Sequence, residues 1–206
     1  MGDFMVNNYK VAYNKEWEKL KTLDLIDIKN RLKIDYDEQK KEIKLKYFNK
    51  NYILNFEDES ILDENSNKLS TGDSIIVLNY LTHSKEYVED DYKWVSLKEI
   101  SSATALFYPA FNKSTIQKLI KTFDNKTDVL TQKSINLGGE EIKMGDVAYK
   151  FQVLPKISIG IVFWQGDDEI ESNATVLFNP SIKDLVHVET VIGIGSAVVE
   201  KMVYSL

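Results

Sequence analysis

The sequence predicts an α+β fold, a mainly antiparallel sheet flanked by helices, with N-terminal and C-terminal helices. Three observations carry this expectation. Apolar residues at helical spacing mark segments near both ends of the chain. Period-two runs occur between them, several joined by short turns. No regular alternation of strand and helix appears, as a parallel sheet would require. The 206 residues, 43% hydrophobic and 11% aromatic, suffice for a proper core. We read residues 1–206 as a single domain.

The first helix is expected over about residues 8–32, where Val11, Trp17, Leu20, Leu23 and Ile28 recur at rough helical spacing, with Asn8 or Asn14 as cap and a break near Thr22–Asp24. A β-hairpin follows. Ile43, Leu45 and Tyr47 alternate with Lys44, Lys46 and Phe48, the turn falls at Asn49–Asn51, and Tyr52–Phe56 return. A short strand at Ser60–Leu62 is compatible with the pattern. The next stretch reads as a helix capped by Thr71 or Asp73, with Ile76, Leu78, Tyr80 and Leu81 as its apolar body. The segment "EYVEDDY" reads as an acidic loop and Lys93–Ile100 as a strand. Pro109 is expected to break any helix through it, and Ser114 to cap a new one. A short helix then stops at Gly138–Gly139. Three strand runs follow: Asp146–Pro155, Lys156–Gly166 and a third ending at Asn179. The last helix carries an apolar stripe through Leu185, Val188, Ile192, Gly195, Val199 and Met202. Gly193 and Gly195 weaken that helix by about 1 kcal/mol each, and close packing against the sheet would account for them.

Composition excludes several chemistries. With no cysteine there is no disulfide, thiolate zinc site, cysteine nucleophile or iron–sulfur cluster of the chain's own. Two histidines, His83 and His187, are too few for a multi-histidine metal site. Net charge is −6, which argues against nucleic acid and anionic membrane as partners. The basic run Asn30–Lys46 is interrupted by acids and reads as a solvated face. There is no secretory signal pattern and no long apolar run, so a cytoplasmic protein is expected.

The stretch "IVFWQGDDEIESNATVLFNP", Ile161–Pro180, is the one that could carry chemistry. Asp167, Asp168 and Glu169 stand between two strand runs. Glycine and aspartate are turn residues, so an exposed hairpin tip explains them. The functional alternative has Asp167 and Glu169 converging on a cation suited to carboxylate oxygens, such as magnesium, calcium or manganese. Trp164 and Trp94 are core candidates by type, and would stack on a flat ligand if both faced one cavity. Glu99 could join the acids. His83, at a helix end, suits a structural role near the C-terminal dipole, and His187 and Glu189 face different ways. The glycine-containing stretch Leu137–Asp146 lacks nucleotide-binding spacing, and no nucleophile–base motif is present.

From residue 74 to 190 the chain resembles the prokaryotic family catalogued as domain of unknown function 3786 (DUF3786). The resembling pieces are "IVLNYL" (Ile76–Leu81), "WVSLKEI" (Trp94–Ile100), "YPAF" (Tyr108–Phe111), "NLGG" (Asn136–Gly139), Met144–Ile170, "VLFNPS" (Val176–Ser181) and Glu189. The chain departs from the family at Ile170 and Glu171, where an aromatic and a proline are usual, and at Asn179, where an aspartate is usual. The resemblance implies an accessory role in the one-carbon or corrinoid metabolism of anaerobes, with any iron–sulfur cluster belonging to a partner. No reaction, ligand or cofactor follows from it.

Three readings result. The first is a non-catalytic accessory protein that binds a ligand or partner near Trp94, Trp164 and the acids. The second is a metal-dependent enzyme using the Asp167–Asp168–Glu169 cluster. The third is a structural protein that oligomerises through its last helix. Acids converging on a concave surface with raised pKa values would favour the enzyme, and acids splayed on a turn the binding protein.

Overall fold

The computed structural model describes residues 2–85 and 93–204, and the side chains of residues 2–7 lie outside that description. The acidic segment expected as a loop, Glu86–Tyr92, falls outside the described residues. Helix α1 spans Gly2–Lys21 and helix α2 Leu25–Leu32, with the expected break between them. Asp24 makes the break by accepting from the amides of Ile26 and Asp27, which starts α2. Four antiparallel strands follow as a meander: β1 (Asp35–Asp37), β2 (Glu42–Tyr47), β3 (Lys50–Asn55) and β4 (Ser60–Asp63). The β2–β3 register pairs Tyr47 with Lys50, so the turn is Phe48–Asn49 rather than Asn49–Asn51. Both turn residues take positive φ, 47° and 60°, as a two-residue hairpin turn demands. Phe48 tolerates this because its ring is buried and its N–H donates to the Val153 carbonyl, which ties the hairpin tip to the second sheet.

Helix α3, Thr71–His83, is capped by Ser70, one residue before the expected cap. The run Lys93–Ile100 is not one strand. It divides into β5 (Val95–Ser96) and a helical turn, α4 (Leu97–Ile100), because the Ser96 hydroxyl and the Glu99 carboxylate form a capping box. Pro109 does not end its helix either. Helix α5 (Ser102–Phe111) contains it, and a π-turn over Asn112–Ile116 leads into α6 (Gln117–Phe123). Proline removes one donor and crowds the turn before it, yet α5 continues for two residues beyond Pro109 before the π-turn begins. Ser114 therefore sits inside the helical run, donating to the Ala110 carbonyl, instead of capping. Helix α7 (Thr127–Asn136) ends where expected, with Gly138 at φ 77°.

The antiparallel sheet expected from the sequence is divided into two. The second sheet has the order β5–β9–β8–β7–β6, from β6 (Glu140–Glu141), β7 (Val147–Leu154), β8 (Ile157–Trp164) and β9 (Asn173–Phe178). Every pairing in it is antiparallel. A 3₁₀ turn, Pro180–Asp184, delays the last helix, so α8 runs Val188–Tyr204. One apolar core joins both sheets and the helices, centred on Trp17, Leu78, Phe151, Phe163, Phe178 and Ile194. Helix α8 buries 8 of its 17 residues, and Gly195, Val199 and Met202 of its apolar stripe serve this core. No helix among the described residues is long and apolar enough to cross a membrane.

Candidate functional site

Trp94, Glu99, Trp164 and the acids Asp167–Glu169 line neither of the two cavities found among the described residues. Asp167 Oδ1 accepts from the amides of Glu169 and Ile170, each at 2.9 Å, and the Asp167 N–H donates to the Ile170 carbonyl. These backbone bonds hold the Asp167 carboxyl below its usual range. Asp168 and Glu169 are exposed on the same turn. Glu99 is engaged with both the amide and the hydroxyl of Ser96, which also lowers its pKa. Trp94 packs on the outward face of the second sheet against Ala148, Val162 and Leu177, close to Gly160. Trp164 lies on that face four residues beyond Gly160 along β8, about 13 Å from that glycine. Among the described residues, no group of three or more histidines or acids is placed to hold a metal ion.

The large cavity lies elsewhere. Helix α3 is the floor of an open groove of about 970 Å³, with α1 and α8 as its walls. The contacts fix the helix directions. Glu16 and Lys19 of α1 reach Asn79, Thr82 and His83 of α3, so α1 runs parallel to it. His187, just before α8, meets the C-terminal end of α3, while Lys201 reaches Asp73 near the other end, so α8 runs antiparallel. Thirteen residues of α3 make the groove about 20 Å long.

At one end the two histidines meet. Their rings stand edge to face with centroids 3.9 Å apart. Lys19 Nζ approaches His83 Nε2 at 2.7 Å. An ammonium only donates, so Nε2 accepts. Nδ1 faces both Thr82 Oγ1 at 2.8 Å and Asn79 Nδ2 at 2.9 Å, and the Thr82 hydroxyl donates to Glu16 Oε2 at 2.6 Å. Asn79 completes the cluster, donating to Glu16 Oε1 at 3.1 Å and accepting from the His187 amide at 2.9 Å. Burial pushes the His83 pKa down, Lys19 and His187 add to the shift, and Glu16 opposes it. His83 is thus a neutral acceptor for Lys19 rather than a cation serving the helix dipole.

At the other end Tyr47 Oη donates to Asp73 Oδ1 at 2.5 Å, and Lys201 Nζ to Asp73 Oδ2 at 2.9 Å. Burial, then the Asp73 charge, raises the Tyr47 pKa well above its ordinary value. Between the two polar ends the lining is mostly apolar: Ala12, Ile75, Ile76, Ile192, Gly193 and Ala197. The glycines of α8 differ in what they face. A Cβ on Gly195 would meet Phe178 Cζ at 2.7 Å and the Phe111 ring at 3.0 Å. A Cβ on Gly193 would meet only Ile76, at 3.8 Å, and one on Gly72, also in the lining, would meet nothing within 4 Å.

A model of the family described as Domain of unknown function (DUF3786) matches residues 24–201. The chain belongs to this family. The match to DUF3786 takes in the groove's floor and its α8 wall, whereas the α1 wall precedes it. No curated protein and no solved structure matches the chain.

Sequence reasoning missed this groove in the DUF3786 chain. His83 and His187 lie 104 positions apart, and neither has an informative neighbour in sequence. One signal was available: the chain has only two histidines, His83 at the end of one predicted helix and His187 within another.

Proposed function

We propose that this protein is a non-catalytic binding protein whose groove between α1, α3 and α8 holds an elongated ligand. Gly193 carries the reading. A helix-interior glycine costs about 1 kcal/mol relative to alanine. Gly195 is explained by the phenylalanines that crowd it, but internal packing gives no such reason for Gly193. It keeps the groove open over Ile76. The groove's volume is of the size that ligand sites occupy, with an apolar middle and polar groups at its ends.

The metal-dependent enzyme is the weaker reading. Asp167 spends its carboxylate on two amides and its pKa is lowered, whereas a catalytic acid pair would show raised values on a concave surface. Oligomerisation through α8 is weaker too, since Val191, Ile194, Val198 and Met202 of that helix are buried in the core. A binding role agrees with the accessory function in anaerobic one-carbon or corrinoid metabolism that the family resemblance implies, and we place it in the cytoplasm.

Native mass spectrometry of protein purified anaerobically from its own host tests this, with Gly193→Trp prepared in parallel. We expect a retained mass on the wild type that is absent from the variant. The same added mass on both overturns the reading. So do bare masses on both, combined with no saturable uptake of the neutral dye Nile red.

A further inference from the structure

The groove reading says where a ligand lies, and the histidine end says what its head carries. Lys19 is half-buried, and its Nζ has one hydrogen-bond partner among the described residues, the neutral His83 Nε2. No described carboxylate comes within 4.0 Å of it, whereas the groove's other inward lysine, Lys201, is paired with Asp73. An ammonium has three donors, so two remain for a group entering the groove. Glu16 does not take that place, because its two oxygens are held from below by Asn79 and Thr82.

We infer that the Lys19–His83–His187 end of the groove binds the anionic head of an amphipathic ligand, whose apolar body lies over Ile76 and Gly193. The head is a carboxylate or a phosphate. Its charge attracts Lys19 directly. The groups facing His83 are Glu16 and Lys19 from α1, and His187 and Glu189 from the start of α8. Among the charged side chains lining this end, Lys15 and Lys19 balance Glu16 and Glu189. The inference rests on the groove as a ligand site.

The test is calorimetric titration with decanoate, decyl phosphate, decanol and decyltrimethylammonium, each below its micelle concentration. The proteins are the wild type, Lys19→Gln, Lys19→Arg and Gly193→Trp, with melting curves to confirm folding. At least one anion should bind about tenfold or more tighter than decanol, as expected for a charge-assisted hydrogen bond. Lys19→Gln should lose that advantage, Lys19→Arg should keep most of it, and Gly193→Trp should abolish binding. The preferred anion identifies the head. If decanol or the cationic probe binds as tightly as the anions, and Gly193→Trp still blocks it, the anion inference fails and the groove stands. If no probe binds, or Gly193→Trp binds as well as the wild type, the groove reading fails with it.

Discussion

Replacing each of two glycines in one helix by alanine should shift stability in opposite directions. Gly193→Ala gains about 1 kcal/mol of helix propensity. Its new methyl meets only Ile76, at an ordinary van der Waals distance of 3.8 Å, so nothing offsets the gain. Gly195→Ala gains the same propensity, but its methyl lands 2.7 Å from Phe178 and 3.0 Å from Phe111. Both rings are buried in the core and cannot move freely. Overpacking of this kind costs about 1–3 kcal/mol, which leaves a net loss of up to about 2 kcal/mol. In a chain of this length 1 kcal/mol corresponds to about 2–4 °C of melting temperature. Urea unfolding followed by circular dichroism measures both variants, with the slope checked for constancy. Gly193→Ala should rise and Gly195→Ala should fall. A destabilised Gly193→Ala would mean that residue 193 packs against something, and the argument for an open groove would collapse. A stabilised Gly195→Ala would remove the contrast between the two positions.

Other substitutions probe the ends of the groove and the hairpin. Tyr47→Phe removes a buried hydrogen bond to a carboxylate and should cost about 1.5–3 kcal/mol in urea unfolding. Asp73→Ala should cost more, because it strands both Tyr47 and Lys201, and a loss below that of Tyr47→Phe would show that the network is not shared. His83 has a lowered pKa in the folded state, so unfolded chains bind more protons between that value and about 6.5. Its contribution is therefore complete above about pH 6.5 and is lost as the pH falls below it. His83→Gln should flatten the stability–pH slope between pH 5 and 7, and an unchanged slope would place the titrating group elsewhere. Asp167→Ala should speed amide exchange at Glu169 and Ile170, whereas Asp167→Asn, which keeps an acceptor oxygen, should not.

Much of the fold was legible because its signals are local. The break before Asp24, the alternation through Ile43, Leu45 and Tyr47, and the strands ending at Leu154 and Trp164 follow from periodicity and turn chemistry. The errors arose where one local signal overrode another. Ser96 and Glu99, read as strand residues on opposite faces, form a capping box and start a helix. Pro109 lies inside α5 and does not end it. Phe48 was placed on a strand face, although its burial against the second sheet draws it into the turn. The groove was illegible for a different reason. Glu16, His83 and His187 come from three distant parts of the chain, and no pairwise spacing announces their meeting. The conspicuous acids at Asp167–Glu169 drew attention because they are adjacent, and the Asp167 carboxylate satisfies the backbone of its own turn.

The walls of the groove lie far apart in sequence. Helix α1 is made early during synthesis, the floor α3 follows, and α8 comes after both sheets. Long-range closure of this kind is slow relative to local helix formation. Until α8 has left the ribosome and docked, the nascent protein has only one side of its binding surface, and Ile76 is open to water. Ligand and fold are therefore coupled in time: a molecule that fits the finished groove acts on the docking of α8 and stabilises the arrangement that this docking creates.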